Sequence, residues 1–180
     1  LDAEAVLARR AAFRPSPGPH ANLGVRGEAV WLHVPVDVDA TGNGRWVFEV
    51  DHPLLDRIDL HVVTGGKVVR SVALGDHLAF DLRPLATRSH AVGLTLQPGV
   101  AHELLLRVKT KGTSIVPLRL VKAEIFHAQE ARVQLGQGRG LAEILAGRKE
   151  VTEGFHSVEA AAALARQLHL DMPVTQALDA

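Results

Sequence analysis

The sequence predicts a mainly β fold: an antiparallel β-sandwich of about eight strands, followed by a short helical C-terminal appendage. Three observations carry this. Apolar residues alternate with polar ones in short runs, as in Val30, Leu32, Val34 and Val36 against Trp31, His33, Pro35 and Asp37. Turn-forming Gly, Pro, Asn and Asp punctuate these runs at intervals of roughly ten residues, the spacing of a sandwich. Beyond Phe126 the alternation stops, and Ala and Leu dominate a stretch such as Val158 to Leu168.

The elements follow in order. Residues 2 to 10 suit a short helix with Asp2 as its N-cap. Pro15, Pro17 and Pro19 then enforce an irregular lead-in. Ala29 to Val38 is a strand, and Gly42-Asn43-Gly44 is a turn that supplies positive-φ positions. Arg45 to Val50 is the next strand, closed by Pro53. Arg57 to Val63 and Lys67 to Leu74 form a hairpin across Gly65-Gly66. Gly75-Asp76 turns the chain into a looser stretch ending at Arg83-Pro84. His90 to Leu96, His102 to Lys109 and Ile115 to Val121 complete the strands, with turns at Pro98-Gly99 and Lys111-Gly112. Gly136, Gly138 and Gly140 mark a Gly-rich segment. Short helices are expected at Leu141 to Leu145, at Val158 to Leu168 behind a Ser157 cap, and from Pro173 onward. The domain division expected is a sandwich over 1–128 and a helical tail over 129–180.

Composition narrows the function. Apolar residues are 47% of 180, enough for a packed core. Lys plus Arg and Asp plus Glu stand at 20 each, so no basic field draws nucleic acid. The absence of Cys removes disulfides, thiolate metal sites and a Cys nucleophile. No run of eighteen apolar residues spans a membrane. Leu1 is not a start methionine, so a fragment or a processed chain is expected, with an upstream signal peptide left open.

No motif supports catalysis. The ten His include no His-Glu-x-x-His pair, and Ser71, Ser89 and Ser114 lack a Gly-x-Ser-x-Gly elbow. Asp56, Asp59, Asp76 and Asp81 are candidates to cluster at one sandwich end. Turn formation explains Asp76 and Asp56 without catalysis, and hard oxygen ligands suit Ca²⁺ better than a glycosidase pair. No metal and no cofactor are expected. Sugar binding requires exposed aromatics, and Trp31 and Trp46 are favoured as sandwich core. The best polar pocket pairs Arg83 with Asp76, and Trp46 completes the ligand-binding candidates; a loop-pinning salt bridge is the competing role for the Arg–Asp pair.

Residues 4 to 128 hold a long ordered pattern that carries a resemblance. The residues that carry this are Phe13-Arg14-Pro15, Asn22-Leu23-Gly24, Trp31, Trp46 with Glu49, Pro53 before Leu55-Asp56-Arg57-Ile58-Asp59-Leu60, Gly75-Asp76, Arg83-Pro84, Arg107 with Lys109 and Gly112, and Pro117-Leu118 leading to Phe126. In that order they resemble the second extracellular domain type of bacterial seven-transmembrane receptors with diverse intracellular signalling modules. His61 stands where the family usually has Tyr. The resemblance implies a jelly-roll-like sandwich, similar in shape to carbohydrate-binding modules. It implies a non-catalytic ligand sensor on the periplasmic or extracellular face of the inner membrane, as part of a larger receptor. The partners expected are a small, carbohydrate-like ligand and membrane-embedded receptor helices absent from this chain. A structural receptor–receptor module is an alternative.

In residues 134 to 180, the runs Gln134 to Gly147, Val151-Thr152-Glu153-Gly154, Ala160 to Leu168 and Asp171-Met172-Pro173-Val174 follow one another. In that order they are similar to the C-terminal end of bacterial NAD(P)-dependent glycerol-3-phosphate dehydrogenase. In that family the positions matching Val151 and Glu153 lie near the cofactor. The substrate-binding Ser-Arg-Asn-Arg run is replaced by Phe126-His127-Ala128-Gln129, and the Rossmann domain and catalytic Lys are missing. An inactive dehydrogenase fragment fused to a sandwich is therefore the second alternative. The tail is read as a natural fusion, an engineered join or a sequence-join artefact.

Overall fold

The computed structural model of the chain describes residues 2–16 and 21–140. It divides into two compact units at Lys122/Ala123. In the first unit, α1 is Ala3–Leu7, and a single 3-10 turn follows at Arg10–Ala12. Nine strands follow among the described residues: β1 Ala21–Val25, β2 Val30–Asp37, β3 Arg45–Val50, β4 Arg57–Thr64, β5 Lys67–Leu74, β6 His90–Thr95, β7 Ala101–Lys109, β8 Thr113–Val116 and β9 Leu118–Lys122. In the second unit, the described part contains α2, Ala123–Gly136. No helix of the described residues is long and apolar enough to cross a membrane.

All pairing is antiparallel. One sheet has the order β2-β7-β4-β5, a second has β6-β3-β9, and β1 and β8 form a two-stranded ribbon. The two larger sheets meet across one core. Ile58, Leu60, Val62, Leu104, Leu106 and Val108 from the first face Phe48, Val50, Val92 and Leu94 from the second, with Ala21 and Val116 joining from the ribbon. Each of these side chains is buried, and full burial of a Val, Leu or Phe is worth about 1.5–3 kcal/mol. Arg70 on the edge strand β5 closes the seam between the sheets by donating to the Gly93 carbonyl of β6 at 2.8 Å.

The strands depart from expectation at two places, the first being β1 at Ala21–Val25, where none is expected. At the second, the run Ile115 to Val121 divides at Pro117, so β8 joins β1 while β9 joins β3. Proline has no N–H to donate, which makes it a natural break in a ladder. The hairpin across Gly65-Gly66 forms as the sequence predicts, with φ of +58° and +74° at the two glycines.

Trp31 corrects an expectation. Its neighbours Leu32, Val34 and Val36 pack on the core, so the alternation turns Trp31 to the outer face of the four-stranded sheet. There it lies against a smaller cluster of Leu7, Val63 and Leu105 with Phe13 and Val68. The Trp31 ring stacks on His61 with centroids 5.8 Å apart. The N-terminal segment is thus pinned to the outside of the sandwich. Asp2 caps α1 as predicted, its carboxylate accepting from the Ala5 N–H at 2.8 Å.

Candidate functional site

The register defines two ends of the sandwich. At one end, Val50 pairs with His90 and with Leu118, and the 51–56 and 75–89 loops emerge. At the other, Trp46 pairs with Leu94 and with Lys122, and β9 terminates. Asp76 and Arg83 lie on the 75–89 loop at the first end, which is the candidate site.

The loops there are clamped together. The Asp76 N–H donates to the Leu55 carbonyl at 2.9 Å, and the His77 N–H donates to the Asp56 carbonyl at 3.2 Å. Gly75 makes this approach feasible. It sits at φ +130°, and a Cβ there would lie 2.3 Å from the Asp56 carbonyl oxygen. The Asp56 carboxylate accepts the Lys111 N–H at 2.9 Å, tying in the loop after β7. That backbone hydrogen bond holds the Asp56 carboxyl below its ordinary value; burial opposes it, and the Thr110 hydroxyl and the charges of His77 and Lys111 add to it.

Carboxylate oxygens of Asp56 and Asp76 and an imidazole nitrogen of His77 all lie within 4.8 Å of one another. Two carboxylates and one imidazole are a donor set compatible with a divalent cation, although exposed loop acids commonly stand without one. Of the four Asp that the sequence offers for a cluster, only Asp56 and Asp76 meet. Asp59 lies on the outer sheet face instead, bridged to Arg57 at 2.8 Å and Arg107 at 3.1 Å.

His90 begins β6 beneath this surface and is buried. Its Nε2 lies 3.1 Å from the Pro53 carbonyl. A carbonyl only accepts, so Nε2 carries the proton, and a neutral ring leaves Nδ1 as an acceptor. Burial pushes the His90 pKa down, and the Arg83 charge adds to this; the Pro53 carbonyl and Asp76 oppose it, while His52 lowers it further. The charges of Arg83 and Asp76 thus act on this imidazole in opposite directions.

The Arg83 guanidinium lies over the Phe80 ring, 5.3 Å from its centroid. Its Nε is buried and has no hydrogen-bond partner among the described residues. Phe80 is 58% exposed, and Leu82 and Leu54 beside these loops are exposed too. The end therefore offers an unsatisfied cationic donor, a carboxylate and an open aromatic face.

Trp46 is elsewhere. It lies partly buried against the core, four residues along β3 from Val50, roughly 13 Å at strand spacing. Its Nε1 is buried without a partner among the described residues, and the Lys122 ammonium sits 5.9 Å from its ring. Val151 and Glu153, and the helices expected beyond Gly140, lie outside the described residues. Sequence reasoning did not place His77, Phe80 or His90 at this end. His77 and Phe80 were readable only as near neighbours of Asp76 and Arg83, and nothing local marks His90.

Comparison with known proteins agrees with both resemblances. Over 96 residues the chain is 33% identical to glycerol-3-phosphate dehydrogenase [NAD(P)+] of Parvibaculum lavamentivorans, a match that covers 52% of this chain and 28% of that protein. The family model described as 7TMR-DISM extracellular 2 matches residues 1–122, the whole of the first compact unit. By that match and the sandwich it spans, the chain belongs to the 7TMR-DISM extracellular 2 family.

Proposed function

We propose that this chain is the ligand-sensing part of a bacterial membrane receptor and that it takes a small hydroxylated ligand, of the saccharide class, at the loop end around Asp76 and Arg83. The family supports an extracellular receptor domain. The observation that carries the ligand reading is the buried, unpartnered Nε of Arg83 beside an exposed Phe80. Leaving a buried donor unsatisfied costs about 1–3 kcal/mol, which a ligand oxygen recovers. Phe80 supplies an apolar face for a pyranose ring, and Asp76 accepts from its hydroxyls. The role is recognition rather than catalysis. The site lies at the opposite end of the sandwich from the terminus of β9, the arrangement expected if ligand meets one end and receptor helices connect through the other. Signalling then requires that the ligand bind two receptor states with different affinity.

A thermal-shift panel on the 180-residue chain tests this. Neutral mono- and disaccharides are expected to raise the midpoint, because binding to the folded state alone adds about 2.7 kcal/mol at a hundred times Kd. Arg83→Gln should remove that shift while the variant keeps its far-UV spectrum. If no saccharide acts, or if the shift survives in Arg83→Gln, the reading fails. A shift by NADPH or glycerol 3-phosphate instead would favour the dehydrogenase-like alternative.

A further inference from the structure

We infer that a second ligand site, for a free aliphatic α-amino acid, lies in the cleft between α1 and the β4–β5 hairpin. The cleft has a volume of about 610 Å³ and is lined by Glu4, Leu7, Ala8, Arg10, Gly66, Lys67 and Val68. That volume is in the range of small-molecule pockets. It belongs to the other end of the sandwich from Asp76 and Arg83, because Thr64 pairs with His102 there while Arg57 pairs with Lys109 at the loop end.

The chemistry of its walls selects the ligand. Glu4 on α1 and Lys67 at the start of β5 have no ion-pair or side-chain hydrogen-bond partner among the described residues. Arg10, also on the rim, is already committed to Glu103 at 3.8 Å, and Glu103 is held in turn by His33 at 2.7 Å. The cleft therefore presents one free carboxylate on one wall and one free ammonium on the other. Ala8 and Val68, with the edge of the buried Leu7, are the apolar part of its lining. A simple anion is repelled by Glu4 and a simple cation by Lys67. A zwitterion satisfies both, its ammonium toward Glu4 and its carboxylate toward Lys67, with an aliphatic side chain against Leu7 and Val68. Such a ligand would tie α1 to the hairpin. A five-residue helix has little stability of its own and is held here by its Asp2 cap and by Leu7 on Val63 and Leu105.

The test is an ¹⁵N NMR titration of the 180-residue chain with L-leucine, leucinol and N-acetyl-leucine, probes that leave the protein unchanged. L-leucine is expected to give saturable shifts at the Leu7, Ala8, Gly66, Lys67 and Val68 amides. Leucinol lacks the carboxylate and N-acetyl-leucine lacks the ammonium, so each should bind about two- to fivefold more weakly, the worth of one exposed ion pair. Glu4→Gln and Lys67→Met should weaken L-leucine by a similar factor, whereas Arg83→Gln should leave it unchanged. The proposal is overturned if L-leucine gives no saturable shift, if its shifts map to residues 75–90, or if the three probes bind equally. Saccharide binding at the loop end is read on different amides, so the two sites succeed or fail separately.

Discussion

Gly75→Ala is the sharpest test of how the loop end is built. Gly75 holds φ at +130°, where side-chain-bearing residues are strained by about 1–3 kcal/mol. Its added Cβ would lie 2.3 Å from the Asp56 carbonyl oxygen and 2.8 Å from the Arg57 Cα, both of them backbone atoms. Relief requires the 75–89 loop to lift from the 51–56 loop. That stretches the Asp76 N–H to Leu55 bond and the His77 N–H to Asp56 bond, each worth about 1 kcal/mol. The expected loss is therefore about 3–5 kcal/mol. Gly66→Ala is the control, because Gly66 also has a positive φ, +74°, yet no atom lies within 4 Å of its added Cβ. It should lose only the left-handed penalty, about 1–2 kcal/mol. Urea unfolding followed by circular dichroism reads both. With a slope near 2 kcal/mol per M, the midpoint should fall by roughly 1.5–2.5 M for Gly75→Ala and roughly 0.5–1 M for Gly66→Ala. A Gly75→Ala chain that does not fold, beside a Gly66→Ala chain that does, agrees with the same ordering. Equal midpoint shifts would refute the claim that backbone contact at Gly75 holds the two loops together.

Three other outcomes are expected. His90 has a lowered pKa when folded, so between the unfolded imidazole value near 6.5 and the folded value the unfolded chain binds more protons; stability is complete above pH 6.5 and falls on acidification by up to about 1.4 kcal/mol per pH unit. His90→Gln, compared by urea unfolding at pH 7.5 and 5.5, should show a smaller loss than wild type, and an identical loss would contradict the assignment. Leu60→Ala removes a side chain with 0% exposure from between the sheets and should cost about 2–5 kcal/mol; a change under 1 kcal/mol would mean that Leu60 is not at the centre of the core. Asp2→Ala should cost about 1 kcal/mol in α1 and accelerate hydrogen exchange at the Ala5 amide, and an unchanged exchange rate would show that the cap carries no weight.

Local chemistry was readable where the cause was local. The Asp2 cap, the Gly65-Gly66 turn and the strands on either side of it each follow from residues within a few positions of one another. The order β2-β7-β4-β5 does not, because strand partners are chosen by the packing of distant apolar faces. Trp31 shows the same limit. Residue size suggested core, but Leu32, Val34 and Val36 on the opposite face of its strand decided which side turned inward. Pro117 was visible as a residue, yet its effect depended on β1 and β3 being available to take up the two halves. At the loop end, Asp76 and Arg83 were legible as turn-forming and charged. Their opposed electrostatic influence on the buried His90 was not, since His90 is set at this end by the pairing of β6 with β3 at Val50.

The way β9 leaves the sandwich has a mechanical consequence. Its five residues pair with β3 from Val50–Leu118 to Trp46–Lys122, and the chain departs at the Lys122 end. Tension applied at Lys122 along the strand loads the ladder in shear, so its hydrogen bonds share the force instead of breaking one after another. At the far end of β9 the load passes through Pro117 into β8 and its ribbon with β1. A pull at the exit is thereby carried along the β9 ladder toward the end where the 51–56 and 75–89 loops meet.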